Sequence, residues 1–165
     1  MEKGKIKELL RILEENSRLE PQVLSEMLDL PLDEVKFTVE KLEQSGIILK
    51  YSSIINWDKV EENDHITAMI DVKVTPKREV GFDDIARRIY RFPEVKSVYL
   101  MSGAYDLSVV IEGVTMKEVA QFVSEKLSTL DSVISTTTHF ILKKYKHDGV
   151  IFDDREDDKR MVVTP

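Results

Sequence analysis

Cysteine is absent from the chain, so no disulfide frames the fold and no thiolate can serve a metal or act as nucleophile. That absence fits a reducing compartment. No apolar run approaches the ~20 residues that a membrane-spanning helix requires, and Met1-Glu2-Lys3-Gly4-Lys5 lacks the apolar core of a signal peptide. The expectation is a soluble, cytoplasmic protein with no membrane partner. His65, His139 and His147 are scattered, without a second ligand at metal spacing, which argues against a zinc site. Gly-rich phosphate loops and Ser/His/Asp sets are missing too, so no catalytic residue, metal or cofactor is assigned. Basic charge is also short: the net charge is −7 at pH 7. That counts against a general nucleic-acid binder, because phosphate contacts need local Lys and Arg.

What is there suffices for one ordinary domain or two small ones, with 42% apolar residues in 165. The sequence pattern divides them in two. In residues 1–50, Ile6, Leu9, Leu10 and Leu13 fall at i, i+3, i+4 and i+7, one stripe of an amphipathic helix closed by Asn16 and Ser17. A second helix starts at Pro21 and turns Val23, Leu24, Met27 and Leu28 inward. Asp29-Leu30-Pro31 clips it, since proline disfavours helix in the residue before it. A third helix, from about Leu32 to Ser45, buries Leu32, Val35, Val39 and Leu42 and stops at Gly46. A strand over Ile47 to Ile55 follows as wing or linker. Three short helices with a clipped turn between the last two fit a helix-turn-helix or a plain packing module.

If the unit reads DNA, the third helix is the reader. Its outward positions are Asp33, Glu34, Lys36, Phe37, Thr38, Glu40, Lys41, Glu43 and Gln44, four acids against two lysines. The candidate DNA contacts are Lys36, Phe37, Thr38 and Lys41. Phe37 can touch a thymine methyl or another subunit. Lys3, Lys5, Lys7 and Arg11 on the first helix add a modest basic patch. One such unit binds DNA weakly, and several must act together.

Residues 51–62 read as linker strand and connector, 63–146 as a second domain, and 147–165 as an acidic extension with a possible edge strand. In the second domain, His65 to Thr75 alternates with Ile66, Ala68, Ile70, Val72 and Val74 on one face, and Pro76 ends the strand. Phe82, Ile85, Ala86 and Ile89 make a helix stripe that Pro93 breaks. Val98 to Ile111 then reads as two strands joined through Ser102-Gly103-Ala104-Tyr105-Asp106. Gly103 supplies the positive φ of that turn. Asp106 sits at its mouth, where a carboxylate can cap the turn or take a ligand. Thr115 and Glu118 form a capping box for a helix turning Met116, Val119, Ala120, Val123 and Leu127 inward. A last strand runs from Val133 to about Tyr145.

The fold class is therefore α+β, a winged helix-turn-helix followed by a ferredoxin-like βαββαβ domain. Helices cover one face of such a sheet. The other, holding Met69, Tyr99, Met101 and Phe140, needs a cover, and the simplest is a second copy in a two-fold dimer.

At this point the sequence resembles the Lrp/AsnC (feast/famine) transcription regulators over roughly residues 5 to 146. The matching stretches are Leu42-Glu43-Gln44-Ser45-Gly46-Ile47-Ile48, Ser102-Gly103-Ala104-Tyr105-Asp106 and Asp131-Ser132-Val133-Ile134-Ser135-Thr136-Thr137-Thr138. The resemblance implies a dimer built through the βαββαβ domains and stacked into tetramers or octamers. It also implies double-stranded DNA as partner and a small effector, typically an amino acid, bound between dimers. Carried onto this chain, the effector residues are Leu100, Met101, Gly103, Asp106, Met116, Thr136 and Thr138. Asp106 would take the α-ammonium, hydroxyls and turn N–H groups the carboxylate, and Leu100, Met101 and Met116 an apolar side chain.

Two departures matter. The family's arginines on helix 3 are replaced here by Phe37, Thr38, Glu40 and Lys41, which keeps open an oligomeric sensor or scaffold without DNA binding. The extension holds Asp148, Asp153, Asp154, Glu156, Asp157 and Asp158, and either Val150-Ile151-Phe152 or Met161 to Val163 could add an edge strand to a neighbouring sheet. A third class arises because some haem-pathway decarboxylases are similar in architecture. Tetrapyrrole chemistry wants His and Arg around a large cleft, and this domain offers few.

Overall fold

The computed structural model describes residues 1–60, 65–75, 81–113 and 115–152. The expectations for Pro76, for Asp153 to Asp158, for Met161 to Val163 and for the end of the connector lie outside them. The chain forms two compact units, Met1–Ile55 and Asn56–Pro165.

The first unit has three helices, α1 (Lys3–Glu15), α2 (Pro21–Leu28) and α3 (Leu32–Gln44). Their shared core is Leu9, Leu13, Leu24, Leu28, Val35 and Leu42. The α2–α3 turn is held by a pair of reciprocal bonds that the hydrophobic pattern did not reveal. Leu30 N–H donates to the Ser25 carbonyl at 3.1 Å, and the buried Ser25 hydroxyl donates to the Leu30 carbonyl at 2.6 Å. Asp29 takes the left-handed conformation, φ 52° and ψ 53°, to close α2. Val23 and Met27 are exposed, at 39% and 54%, not inward. With α2 only two turns long, Leu24 and Leu28 use up its buried stripe and Ser25 takes the remaining inward position. Gly46 stops α3 at φ +70°, with the N–H groups of Ile47 and Ile48 both donating to the Leu42 carbonyl. The strand expected over Ile47 to Ile55 does not form. An isolated extended chain has no neighbour for its N–H and C=O groups, and Leu49 is left 87% exposed.

In the second unit a 3-10 turn (Trp57–Lys59) precedes β1 (Ile66–Val74), α4 (Phe82–Ile89), β2 (Val95–Leu100), β3 (Leu107–Gly113), α5 (Met116–Gln121) and β4 (Val133–Phe140). The sheet is antiparallel in the order β2-β3-β1-β4. One face, Ala68, Ile70, Val72, Val74, Leu107, Val109 and Ile111, packs under Ile85 and Ile89 of α4 and under Val119, Phe122 and Leu127. Thr115 caps α5, its Oγ1 accepting from Glu118 N–H at 3.2 Å. Beyond Gln121 the helix widens into a π-helical turn (Phe122–Leu127), closed by Ser128 N–H on the Val123 carbonyl at 2.8 Å. Phe122 goes inward and Ala120 and Met116 outward, so the inward stripe expected of this helix holds only for Val119, Val123 and Leu127.

The opposite face carries exposed Met69 and Tyr99 beside Thr67, Asp71 and Lys73. Phe140 does not belong to it: paired opposite Ala68, it packs against the core. The strand read from Val133 to Tyr145 ends at Phe140. Val150–Ile151 (β6) pairs with Lys146–His147 (β5) in a hairpin turned by Asp148 and Gly149.

Candidate functional site

The outer surface of α3 presents Phe37 and Lys41 together, with Lys36 further round the helix. All three are exposed, and Lys41 Nζ stands 4.4 Å from the Phe37 ring centroid. Thr38 does not join them. It is 8% exposed, and its hydroxyl donates to the Glu34 carbonyl one turn back at 2.7 Å, so the expected DNA contact at Thr38 is corrected. A threonine inside a helix can bond backward in this way, hiding its oxygen from any partner. On α1, Lys3, Lys7 and Arg11 are exposed, while Lys5 pairs with Glu8 at 3.1 Å. Glu43 is engaged by Tyr51, whose hydroxyl donates to it at 2.7 Å. Burial, reinforced by that carboxylate, pushes the Tyr51 phenol up to about 12.

The effector candidates divide along and across the sheet. Leu100, Met101, Gly103 and Asp106 gather at the β2–β3 turn, where Met101 N–H donates to the Asp106 carbonyl at 2.8 Å and Gly103 holds φ +155°. Thr136 stands two strands further across, opposite Val72, which itself faces Leu107. At the ~4.8 Å spacing of strands it is roughly 10 Å from that turn. Thr136 and Thr138 pair opposite the buried Val72 and Ile70, so they lie on the helix-covered side, half-buried. Met116, 57% exposed, begins α5 beyond the far end of β3. With a rise of ~3.3 Å per residue, β3 puts roughly 20 Å between it and Asp106. One copy of the chain therefore does not converge these seven residues on a single small molecule.

The Asp106 carboxylate is positioned firmly. Its Oδ2 accepts Val74 N–H at 2.9 Å, its own N–H donates to the Val72 carbonyl at 3.0 Å, and Lys73 Nζ stands 3.5 Å from Oδ1. Asp106 thus caps the turn through Oδ2 and faces Lys73 through Oδ1. Sequence reasoning missed Lys73. It also missed Tyr105, whose hydroxyl meets Thr137 Oγ1 at 2.7 Å, between Thr136 and Thr138. Alternation along β1 does place Lys73 on the open face, but its meeting with Asp106 depends on the β1–β3 register, which a linear sequence does not display. Among the described residues no group of three or more His, Asp or Glu side chains could hold a metal ion.

Comparison with known proteins gives two family matches. Residues 4–48 match the winged helix-turn-helix DNA-binding family, and residues 67–151 match the Lrp/AsnC ligand binding domain. The chain is 63% identical over 158 residues to the HTH-type transcriptional regulator YugG of Bacillus subtilis, covering 96% of this chain and 95% of that one. Among solved structures, a transcriptional regulator of Neisseria meningitidis in complex with L-methionine superposes with a TM-score of 0.69. It has 27% identity, and the match covers 89% of this chain and 93% of that one. A feast or famine regulatory protein of Mycobacterium tuberculosis, complexed with L-methionine, shares the fold at a TM-score of 0.72 and 21% identity, over 92% and 99% of the two chains. A helix-turn-helix unit followed by a half-covered βαββαβ sheet, matched along nearly its whole length by such regulators, makes this chain a member of the Lrp/AsnC family of transcriptional regulators.

Proposed function

We propose that the chain acts in the cytoplasm as a homo-oligomeric regulator, not an enzyme, that grips duplex DNA through Lys36, Phe37 and Lys41 and senses an amino acid at seams between copies. The observation that carries this reading is the separation of the effector candidates within one protomer. Asp106 and Met116 lie at opposite ends of β3, so a site using both draws them from different copies. The open sheet face supplies the means of assembly, because exposed Met69 and Tyr99 are covered when a second sheet packs on the first. The Neisseria regulator complexed with L-methionine supports an amino acid as effector.

Regulation follows if the effector binds alternative assemblies with different affinity, since equal affinity would shift nothing. A mobility-shift assay on the chain's own upstream region, with salt raised stepwise, tests the DNA half. Retarded bands that fade with salt are expected. Absence of any band at low salt removes the DNA role and leaves an oligomeric sensor, the reading that the four acids of α3 favour.

A further inference from the structure

At the end of the sheet remote from the β2–β3 turn lies a cavity of about 340 Å³, at the small end of the range for ligand pockets. Thr67 of β1 and Glu112 of β3 pair where it meets the sheet. Thr67 and Lys73 stand near opposite ends of β1, roughly 20 Å apart at ~3.3 Å per residue, so this cavity is distinct from the turn that holds Asp106. One wall is the 3-10 turn. Asn56 Oδ1 accepts Asp58 N–H at 3.2 Å and the Trp57 carbonyl accepts Val60 N–H at 3.0 Å. Those bonds fix the backbone that carries the half-exposed Trp57 ring and the Asp58 carboxylate to the cavity. The His65 ring meets Trp57 at 65°, with centroids 6.3 Å apart. A second wall is the segment after β4, tied down by Ile141 N–H on the Thr67 carbonyl at 2.9 Å, and it brings Lys143 and Lys144. Lys96 lines the cavity too but is committed to Glu112 at 3.3 Å, and Lys143 Nζ stands 4.8 Å from the Tyr145 ring centroid. Lys144 differs. It is half-buried, and it makes no hydrogen bond or ion pair with another described residue. Taking an ammonium out of water without a counter-charge is costly, and an anion in the cavity supplies that charge.

We infer that this cavity binds a nucleoside monophosphate, its base stacked on Trp57 and its phosphate on Lys144, with Lys143 beside it. A phosphate monoester carries about −1.5 to −2 charge at pH 7. Two neighbouring lysines match that as point charges, without the fixed fork that arginine would impose. The flat apolar ring of Trp57 accepts any base, since every base has a π-face. Asp58, an acceptor only, suits the sugar hydroxyls and opposes further phosphate groups by like charge. None of the effector candidates takes part, so the site stands whether or not an amino acid binds elsewhere.

Trp57 is the one tryptophan of the chain, so its fluorescence in the full chain reports this site directly. The adenosine, guanosine, cytidine and uridine monophosphates are titrated beside their nucleosides and ribose 5-phosphate, with excitation beyond the absorption of the bases. At least one monophosphate should quench saturably and bind roughly tenfold or more tighter than its nucleoside, as a hydrogen bond to a charged group implies. Lys144→Gln should bring the nucleotide to the level of the nucleoside and Lys144→Arg should keep the preference, with circular dichroism reporting the fold of each. Should Lys144→Gln not fold, Lys144→Met gives the same comparison. No saturable quench by any monophosphate overturns the site. Equal affinity for nucleotide and nucleoside does the same, as does a preference that survives in folded Lys144→Gln or Lys144→Met. Ribose 5-phosphate that displaces the nucleotide at equal strength overturns the stacked base.

Discussion

Lys41 covers the ring of Phe37 one turn away on the outer face of α3, its ammonium 4.4 Å from the ring centroid. The contact holds a long side chain in one direction on a helix otherwise loaded with acids. Charge-steered binding depends on such local arrangement more than on net charge.

Lys41→Gln is accordingly expected to weaken binding to DNA of any sequence and to reduce the slope of log K against log salt by about 1. Phe37→Ala should disorder Lys41 and weaken binding less, with the slope kept. Thr38→Val should leave the slope unchanged, because its hydroxyl is spent on the Glu34 carbonyl. Mobility-shift titrations at four salt concentrations read all three, and a slope lost in Thr38→Val would contradict the buried hydroxyl.

The open sheet face makes a second prediction. Tyr99 is 55% exposed and pairs opposite Ser108, on the same sheet face as Met69. In a sheet-on-sheet dimer a carboxylate there would be desolvated without a partner. Tyr99→Asp should raise the dimer dissociation constant by roughly a hundredfold or more, measured by sedimentation equilibrium. A wild type that sediments as a monomer at micromolar concentration would end the dimer proposal.

Most of the architecture was legible because the hydrophobic period carries it. The β1 alternation, the α4 stripe and the Thr115 N-cap each express one local rule, and each appears as expected. What failed depended on strand register, on side-chain bonds to nearby carbonyls and on a local change of helix type. Phe140 changed face because its pairing with Ala68 is a matter of register. Ser25 and Thr38 look like polar surface residues but turn inward to bond nearby carbonyls. Ala120, expected inward, faces out, and Phe122 goes inward at the start of a π-helical turn that no residue type announces. The effector set came from the resemblance residue by residue, and the fold adds that Met116 and Asp106 stand at opposite ends of β3.

Tyr51 should be distinguishable from the other four tyrosines by titration. Burial first, and then the Glu43 carboxylate, raise it to about 12, against about 10 for a free phenol. Being raised, it adds stability that is complete below pH ~10 and is lost as the pH climbs through about 12. The ultraviolet difference titration of wild type minus Tyr51→Phe should place its midpoint near 12, and Glu43→Gln should bring it down. A Tyr51 midpoint that does not move in Glu43→Gln would exclude the hydrogen bond.

Acid should act on the second unit through Glu94 and Lys126. The Lys126 ammonium bonds one Glu94 oxygen and also stands over the rings of Phe92 and Phe122, at 5.7 and 6.0 Å from their centroids. That bond holds the Glu94 carboxyl below the ordinary glutamate value, against the opposing effect of its burial. A carboxyl depressed in the folded state stabilises it above the unfolded value, about 4.3, and this contribution disappears as pH falls further through the folded value. Lys126→Met keeps the apolar stem over the two rings and deletes the charge. It should lower stability at pH 7 and flatten the fall in stability below pH ~4.3, followed by chemical denaturation at stepped pH. An acid limb as steep in Lys126→Met as in the wild type would show that Glu94 draws its depression from elsewhere.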